Sequence, residues 1–234
     1  MYPIEVCAAV GEVKSKLSFS ETTEALRRLA ATKEMRTRML VTGVPVAPIE
    51  ELLWARDALQ IKLAEGKDHI QAAQELYMPD RLERHNLVTF LICEEISWPE
   101  GCNPRQSRDT KFTKALHDLH VAQPNHSLRQ NFILSLTQGL LSYFYPMKVA
   151  DGEVRPIPYP YPVQTVEPIP GTQDDGHPTT CGFRWLPADE HHRHVMMFAC
   201  ELAMATSQVP IFPFTPQAHS FDRSAYEFAF FRAG

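Results

Sequence analysis

Glycine is scarce in this chain, ten residues against nineteen prolines, and the motifs that depend on glycine are missing. No GxxxxGKS/T, GxGxxG or GxSxG occurs, so neither a phosphate cradle nor a nucleophile elbow has sequence support. Cysteine is sparse as well. Cys7, Cys93, Cys102, Cys181 and Cys200 are odd in number, widely spread and without a CxxC, which points to free thiols in a reduced compartment. The most apolar run, "FILSLTQGLLSYFY" from Phe132, is too short and too polar to span a bilayer. The first residues lack a basic stretch before an apolar one, so no signal peptide is expected. Positive charge is not in excess either: the net charge of −5 argues against a general nucleic-acid coat. No internal repeat is present. These absences predict a soluble protein, cytoplasmic or inside an intracellularly assembled particle.

What the chain does have is unevenly placed. Residues 1–150 hold eight prolines and residues 151–234 hold eleven. The first region carries 18 basic and 18 acidic residues and the second 5 and 10, so the whole negative balance lies after residue 150. Two differently composed regions therefore meet near Asp151: a helical region, 1–150, and a Pro- and aromatic-rich extended region, 151–234, containing one buried helix that packs on the first.

In the first region Ser18 stands three residues before Glu21, the spacing of a capping box, and opens a helix through "SFSETTEALRRLAATKEMRTRML". Glu24–Arg28 and Glu34–Arg38 are i,i+4 pairs of the favourable order. "PIEELLWARDALQIKLAEG" has Pro48 at its start, Glu50 and Glu51 in the first turn and Gly66 as its stop. A shorter helix is expected before Pro79. "DRLERHNLVTFLICEEI" reads as a helix, although Val88, Phe90 and Ile92 also alternate as a strand would. "RDTKFTKALHDLH" aligns Phe112, Ala115, Leu116 and Leu119 on one side, and "SLRQNFILSLTQGLLSYFYP", apolar on more than one face, reads as a buried helix.

The second region opens on Asp151-Gly152, a hairpin signal. "PIPYPYPVQTVEPIPG" follows, and alternate prolines there suit an extended strap. Tyr159, Tyr161, Val163 and Val166 would waste apolar area in water, so the strap should lie against a surface. Phe212 and Phe214 in "VPIFPFTPQ" extend that apolar character. A helix is expected from Pro187 and an amphipathic end from Ser220. The fold class predicted is mainly α: an irregular helical bundle with a small β-hairpin and a Pro-rich extended segment near the C-terminal third.

The densest cluster of reactive side chains is "ADEHHRHVMMFACE". On a helix begun at Pro187, Asp189–His192, His191–His194 and Glu190–His194 are each one turn apart and could pair as metal ligands. His194 and Glu201, roughly 10 Å apart at helical rise, could not share an ion. His117 and His120 offer a second i,i+3 pair, with His126 beyond. A solvated first turn, with Asp189 and Glu190 at the positive helix end, explains the same residues without metal, and neither HExxH nor CxxC favours metal. No cofactor is therefore expected. Glu201, among apolar neighbours, should be buried and partnered. Cys102, near Arg105, sits on a Gly/Pro loop with no base beside it. The basic stretch Arg27, Arg28, Lys33, Arg36 and Arg38, interleaved with glutamates, reads as a solvated helix face.

Three classes of function remain. The preferred one is a non-enzymatic structural or adaptor subunit of a larger assembly, a viral or phage particle component or a multiprotein complex. It would bind other protein subunits, or copies of itself, through Tyr159, Tyr161, Val163, Val166, Phe212 and Phe214. A metal-dependent enzyme using His191, His192 or His194 with His117 and His120 is the alternative. A nucleic-acid binder acting through the 27–38 helix is the third.

Overall fold

The computed structural model describes residues 7–39, 85–105, 110–123, 125–148, 154–162, 173–174, 177–178 and 182–209. A strand, β1 (Ala9–Ser18), runs directly into helix α1 (Phe19–Met39). The expected capping box makes that junction: Glu21 N donates to Ser18 Oγ at 3.2 Å, and Ser18 N donates to Glu21 Oε2 at 2.7 Å. After α1 come β2 (Val88–Ser97), α2 (Thr110–Val121), a 3-10 turn (His126–Leu128), β3 (Phe132–Ser135), β4 (Gly139–Lys148) and β5 (Val154–Pro158). Two short strands, β6 (Gln173–Asp174) and β7 (His177–Pro178), pair with each other, and β8 (Gly182–Pro187) leads to helix α3 (Arg193–Gln208).

The mainly α expectation is overturned. Six strands form one mixed sheet in the order β1-β2-β3-β4-β5, with β8 on the other edge of β4, and three α-helices are present among the described residues. β1, β2 and β3 are parallel, while β4 is antiparallel to β3, β5 and β8. Two segments read as helices are strands. In 88–97 the β-branched and aromatic residues prevail, and the alternation of Val88, Phe90 and Ile92 is the true period. In 132–148 all four residues of β3 are buried. A strand covered on both faces shows no alternation and resembles a buried helix. Gly139, at φ 150°, ends the β3–β4 turn, where a Cβ would meet Leu186 O at 2.3 Å.

One core lies between the sheet and α1 with α2, built on Leu26, Leu29, Leu91, Phe112, Leu119 and Ile133. The other lies under α3 and includes Val88, Phe132, Leu134, Leu140, Tyr161 and Phe198. The layers are thus helix, sheet, helix. Gly11 allows a close approach on β1, because a Cβ there would fall 2.1 Å from the Phe90 ring. The predicted hairpin arms about Asp151-Gly152 are the ends of β4 and β5, with Lys148 opposite Val154. Strands from both sides of residue 150 share the sheet. The helices expected at 48–66 and before Pro79, and the amphipathic end from Ser220, lie outside the described residues.

Candidate functional site

Helix α3 carries the histidines and Glu201, but its geometry departs from the one expected. Pro187 ends β8, Ala188 N donates to Gln138 O at 2.8 Å, and the helix starts six residues later at Arg193. Asp189 accepts a hydrogen bond from Arg193 N at 3.0 Å and pairs with the Arg193 guanidinium. His192, the residue before the helix, has left-handed backbone at φ 52°. Asp189, Glu190, His191 and His192 are therefore off the helix, and their assumed i,i+3 and i,i+4 pairings do not form. His191 and His192 are exposed.

Within the helix, His194, Phe198, Glu201 and Ala205 make the buried stripe. His194 Nε2 donates to Leu136 O at 3.1 Å, leaving Nδ1 buried with no partner among the described residues. Glu201, 3% exposed, accepts from Ser142 Oγ through Oε2, and its Oε1 has no partner among the described residues. Burial raises its pKa to about 7 against the weaker opposing effect of the Ser142 hydrogen bond. Glu201 is buried and partnered as its apolar neighbours implied, by a hydroxyl and not a cation.

The outer face of α3 is the reverse. Arg193, the first residue of the helix, is exposed on this side and paired with Asp189; beyond it Met196, Ala199, Cys200, Ala203, Met204 and Ser207 are all exposed and none is charged, Met196 at 65% and Met204 at 41%. The only carboxylate of the helix faces in, and an uncharged stripe over three turns faces out.

The opposite face of the sheet holds a connected polar network. The buried stripe of α1 continues from Ala25 and Leu29 to Lys33 and Arg36, each 1% exposed. The solvated basic face therefore splits. Arg28 is exposed and makes a bidentate pair with Glu12, Arg27 pairs with Glu24, while Lys33 and Arg36 enter the core. Their phase with Leu26 and Leu29 was the available signal. Lys33 Nζ donates to Arg129 O at 2.5 Å and to Asn131 Oδ1 at 3.0 Å, and burial lowers its pKa to about 7. Asn131 also accepts from Thr89 N at 2.9 Å and donates to Pro160 O at 2.7 Å. One side chain thereby ties together α1, β2 and the proline strap.

Arg129 continues the network, donating from Nη1 to His120 Nε2 at 2.9 Å and from Nε to Gln123 O at 2.8 Å. An arginine only donates, so the His120 ring carries its proton on Nδ1, 3.5 Å from Tyr143 OH. Burial, then the Arg129 charge, lowers the His120 pKa to about 3. The buried Tyr143 hydroxyl is pushed well above its ordinary range. The network was missed because no spacing rule relates residues 33, 120, 129, 131 and 143; the β topology brings them together.

The sheet lies between His120 and His194, and His117 is exposed. His191, His192 and His194 therefore do not meet the His117–His120 pair, and no group of three His, Cys, Asp or Glu among the described residues is arranged to hold a metal ion. Tyr159 and Tyr161 pack on the α3 core of their own chain. Tyr161 is 1% exposed and donates to Gln208 Oε1 at 2.5 Å, with Ala205 O at 3.3 Å. Val163, Val166, Phe212 and Phe214 lie outside the described residues. Cys102 packs against the α1–α2 core, and Cys7, Cys93, Cys102 and Cys200 form no disulfide. No described helix is long and apolar enough to cross a membrane. Comparison with family models, curated proteins and solved structures returns no match.

Proposed function

We propose that this chain is a non-enzymatic structural subunit of a larger protein assembly, and that the outer face of α3 packs against α3 of a second copy. The observation that carries this is the reversed polarity of the helix. Contiguous exposed apolar surface marks association sites, and here it runs from Met196 to Met204 with no charge to break it, Arg193 at the end of the face being paired with Asp189. An uncharged stripe is compatible with itself about a twofold axis, since no like charges meet. Ala199 and Ala203 permit close approach of two helices, and Met196 and Met204 adapt their shape to fill the space between them. In this role the strap acts within its own chain: Tyr161 clamps the last turns of α3 and fixes the direction the face presents.

Sedimentation of the full chain, native and as Met196→Glu/Met204→Glu, tests the proposal. The native chain should associate through this face and the double variant should lose that contact. Monomer stability should change by no more than about 0.5 kcal/mol, the norm for surface substitutions. An unchanged mass with a lowered melting temperature would mean that the chain covers this face itself, and would overturn the proposal.

A further inference from the structure

We infer that the outer edge of β1 is a second self-association surface, forming an antiparallel ladder with β1 of another copy centred on Val13. This contact is independent of α3. β1 is ten residues long and lies at one end of the sheet order, with no pairing on its outer edge among the described residues. Val88 N donates to Ala8 O at 3.0 Å, so the Ala8 backbone faces β2. Strand alternation then turns the backbone groups of Ala9, Gly11 and Val13 outward. Val13 is 71% exposed.

Charge selects the register. With the odd-numbered backbone groups facing each other, a twofold pairing must centre on a residue, and few choices overlap the middle of the strand. Centring on Glu12 sets Glu12 against itself. Centring on Lys14 opposes Glu12 to Lys16 twice but sets Lys14 against itself at the centre, and centring on Ser15 sets Lys14 against Lys16 twice. Centring on Val13 sets Glu12 against Lys14 twice, with the two valines between. That is the one register with opposite charges across the strands and no like charges opposed. Lysines ordinarily guard an edge strand against pairing. Here Lys14 and Lys16 oppose the registers on one side of Val13 and Glu12 the register on the other. Glu12 is already ordered by Arg28, with Lys14 Nζ 3.8 Å from its carboxylate, so little side-chain freedom is lost on pairing.

Two separate contacts, at α3 and at β1, link copies into assemblies larger than a dimer. The test is the mass distribution of the full chain in sedimentation. Val13→Pro removes an outward N–H and no bond to β2. It should leave dimers joined by α3, whereas Met196→Glu/Met204→Glu should leave dimers joined by β1, and the combination should be monomeric. In the Met196→Glu/Met204→Glu background, Lys14→Glu should weaken the remaining dimer by about tenfold or more, because two attractive cross-strand pairs become repulsive. Mixing Lys14→Glu with Glu12→Lys should restore it, since each strand then faces opposite charges. If the α3 contact fails and β1 stands, the native chain is a dimer that Val13→Pro abolishes. A native mass unaffected by both Val13→Pro and Lys14→Glu, or a mixture that recovers nothing, overturns the inference.

Discussion

On the face covered by α1 and α2, Lys33 donates to two carbonyl acceptors, Asn131 bonds three partners, and Arg129 passes the network to His120 and Tyr143. Buried atoms without a partner among the described residues occur beside that network, at Thr89 Oγ1 and Gln130 Nε2, but its members are joined to one another; on the α3 face, Glu201 and His194 each have a single partner, one buried atom with none among the described residues, and no link to each other. The difference teaches where the fold is committed. A connected polar network specifies one arrangement of the elements it joins. A half-satisfied carboxyl leaves its helix dependent on protonation and on what lies outside it. The first face anchors the fold, and the second presents the helix proposed to meet a second copy.

The largest test of the contrast is Asn131→Ala. It strands Thr89 N and Pro160 O and removes one of the two acceptors of Lys33, at a cost of about 4 kcal/mol from groups worth about 1–3 kcal/mol each. Denaturant midpoints would measure it, and a loss under about 1 kcal/mol would break the contrast. Tyr161→Ser should follow at about 3 kcal/mol, because it empties a buried site but lets the strap collapse partly. A loss of this size in monomer stability confirms that the strap works within its own chain.

The two faces should also answer pH in opposite senses. Glu201 keeps its proton to about pH 7 when folded, against about 4.5 when unfolded. The folded state therefore binds more protons between these values, and this group's contribution to stability falls as pH rises from 4.5 to 7. Glu201→Gln lacks that loss, and relative to the native chain it should gain about 2 kcal/mol between pH 4.5 and pH 8. Lys33 keeps its proton only to about 7 when folded, against 10.5 when unfolded. Stability from Lys33 therefore rises between pH 7 and 10.5, and Lys33→Met should flatten that limb. Each melting curve is compared with the native one at the same pH, which cancels the acid-side loss from His120. Parallel slopes of variant and native in either window would refute the corresponding assignment. The smallest effect belongs to Met196→Gln, within about 0.5 kcal/mol of native in monomer stability but with measurably weaker association.

Local signals in the sequence were legible where they act locally. Ser18 and Glu21 announced the start of α1, Phe112 to Leu119 marked α2, and the apolar setting of Glu201 implied its burial. The sheet was hidden because its central strands are apolar on both faces, so Phe132 to Ser135 show no period. Pro187 suits a first helical turn, yet it closes β8, and α3 begins only at Arg193. Lys33 stands in a run of cations interleaved with glutamates that suits a solvated face, although the i,i+4 step from Leu29 puts it on the core stripe. The network around Asn131 needed the β topology before any of its members could be related.

The central claim, that α3 is covered on its outer face by another copy, is tested most directly by the thiol of Cys200, which lies on that face. Its alkylation rate would be followed by peptide mass spectrometry across a range of protein concentrations. The rate should fall as concentration rises in the native chain and stay fast at every concentration in Met196→Glu/Met204→Glu. A native rate independent of concentration and equal to that of the double variant would contradict it.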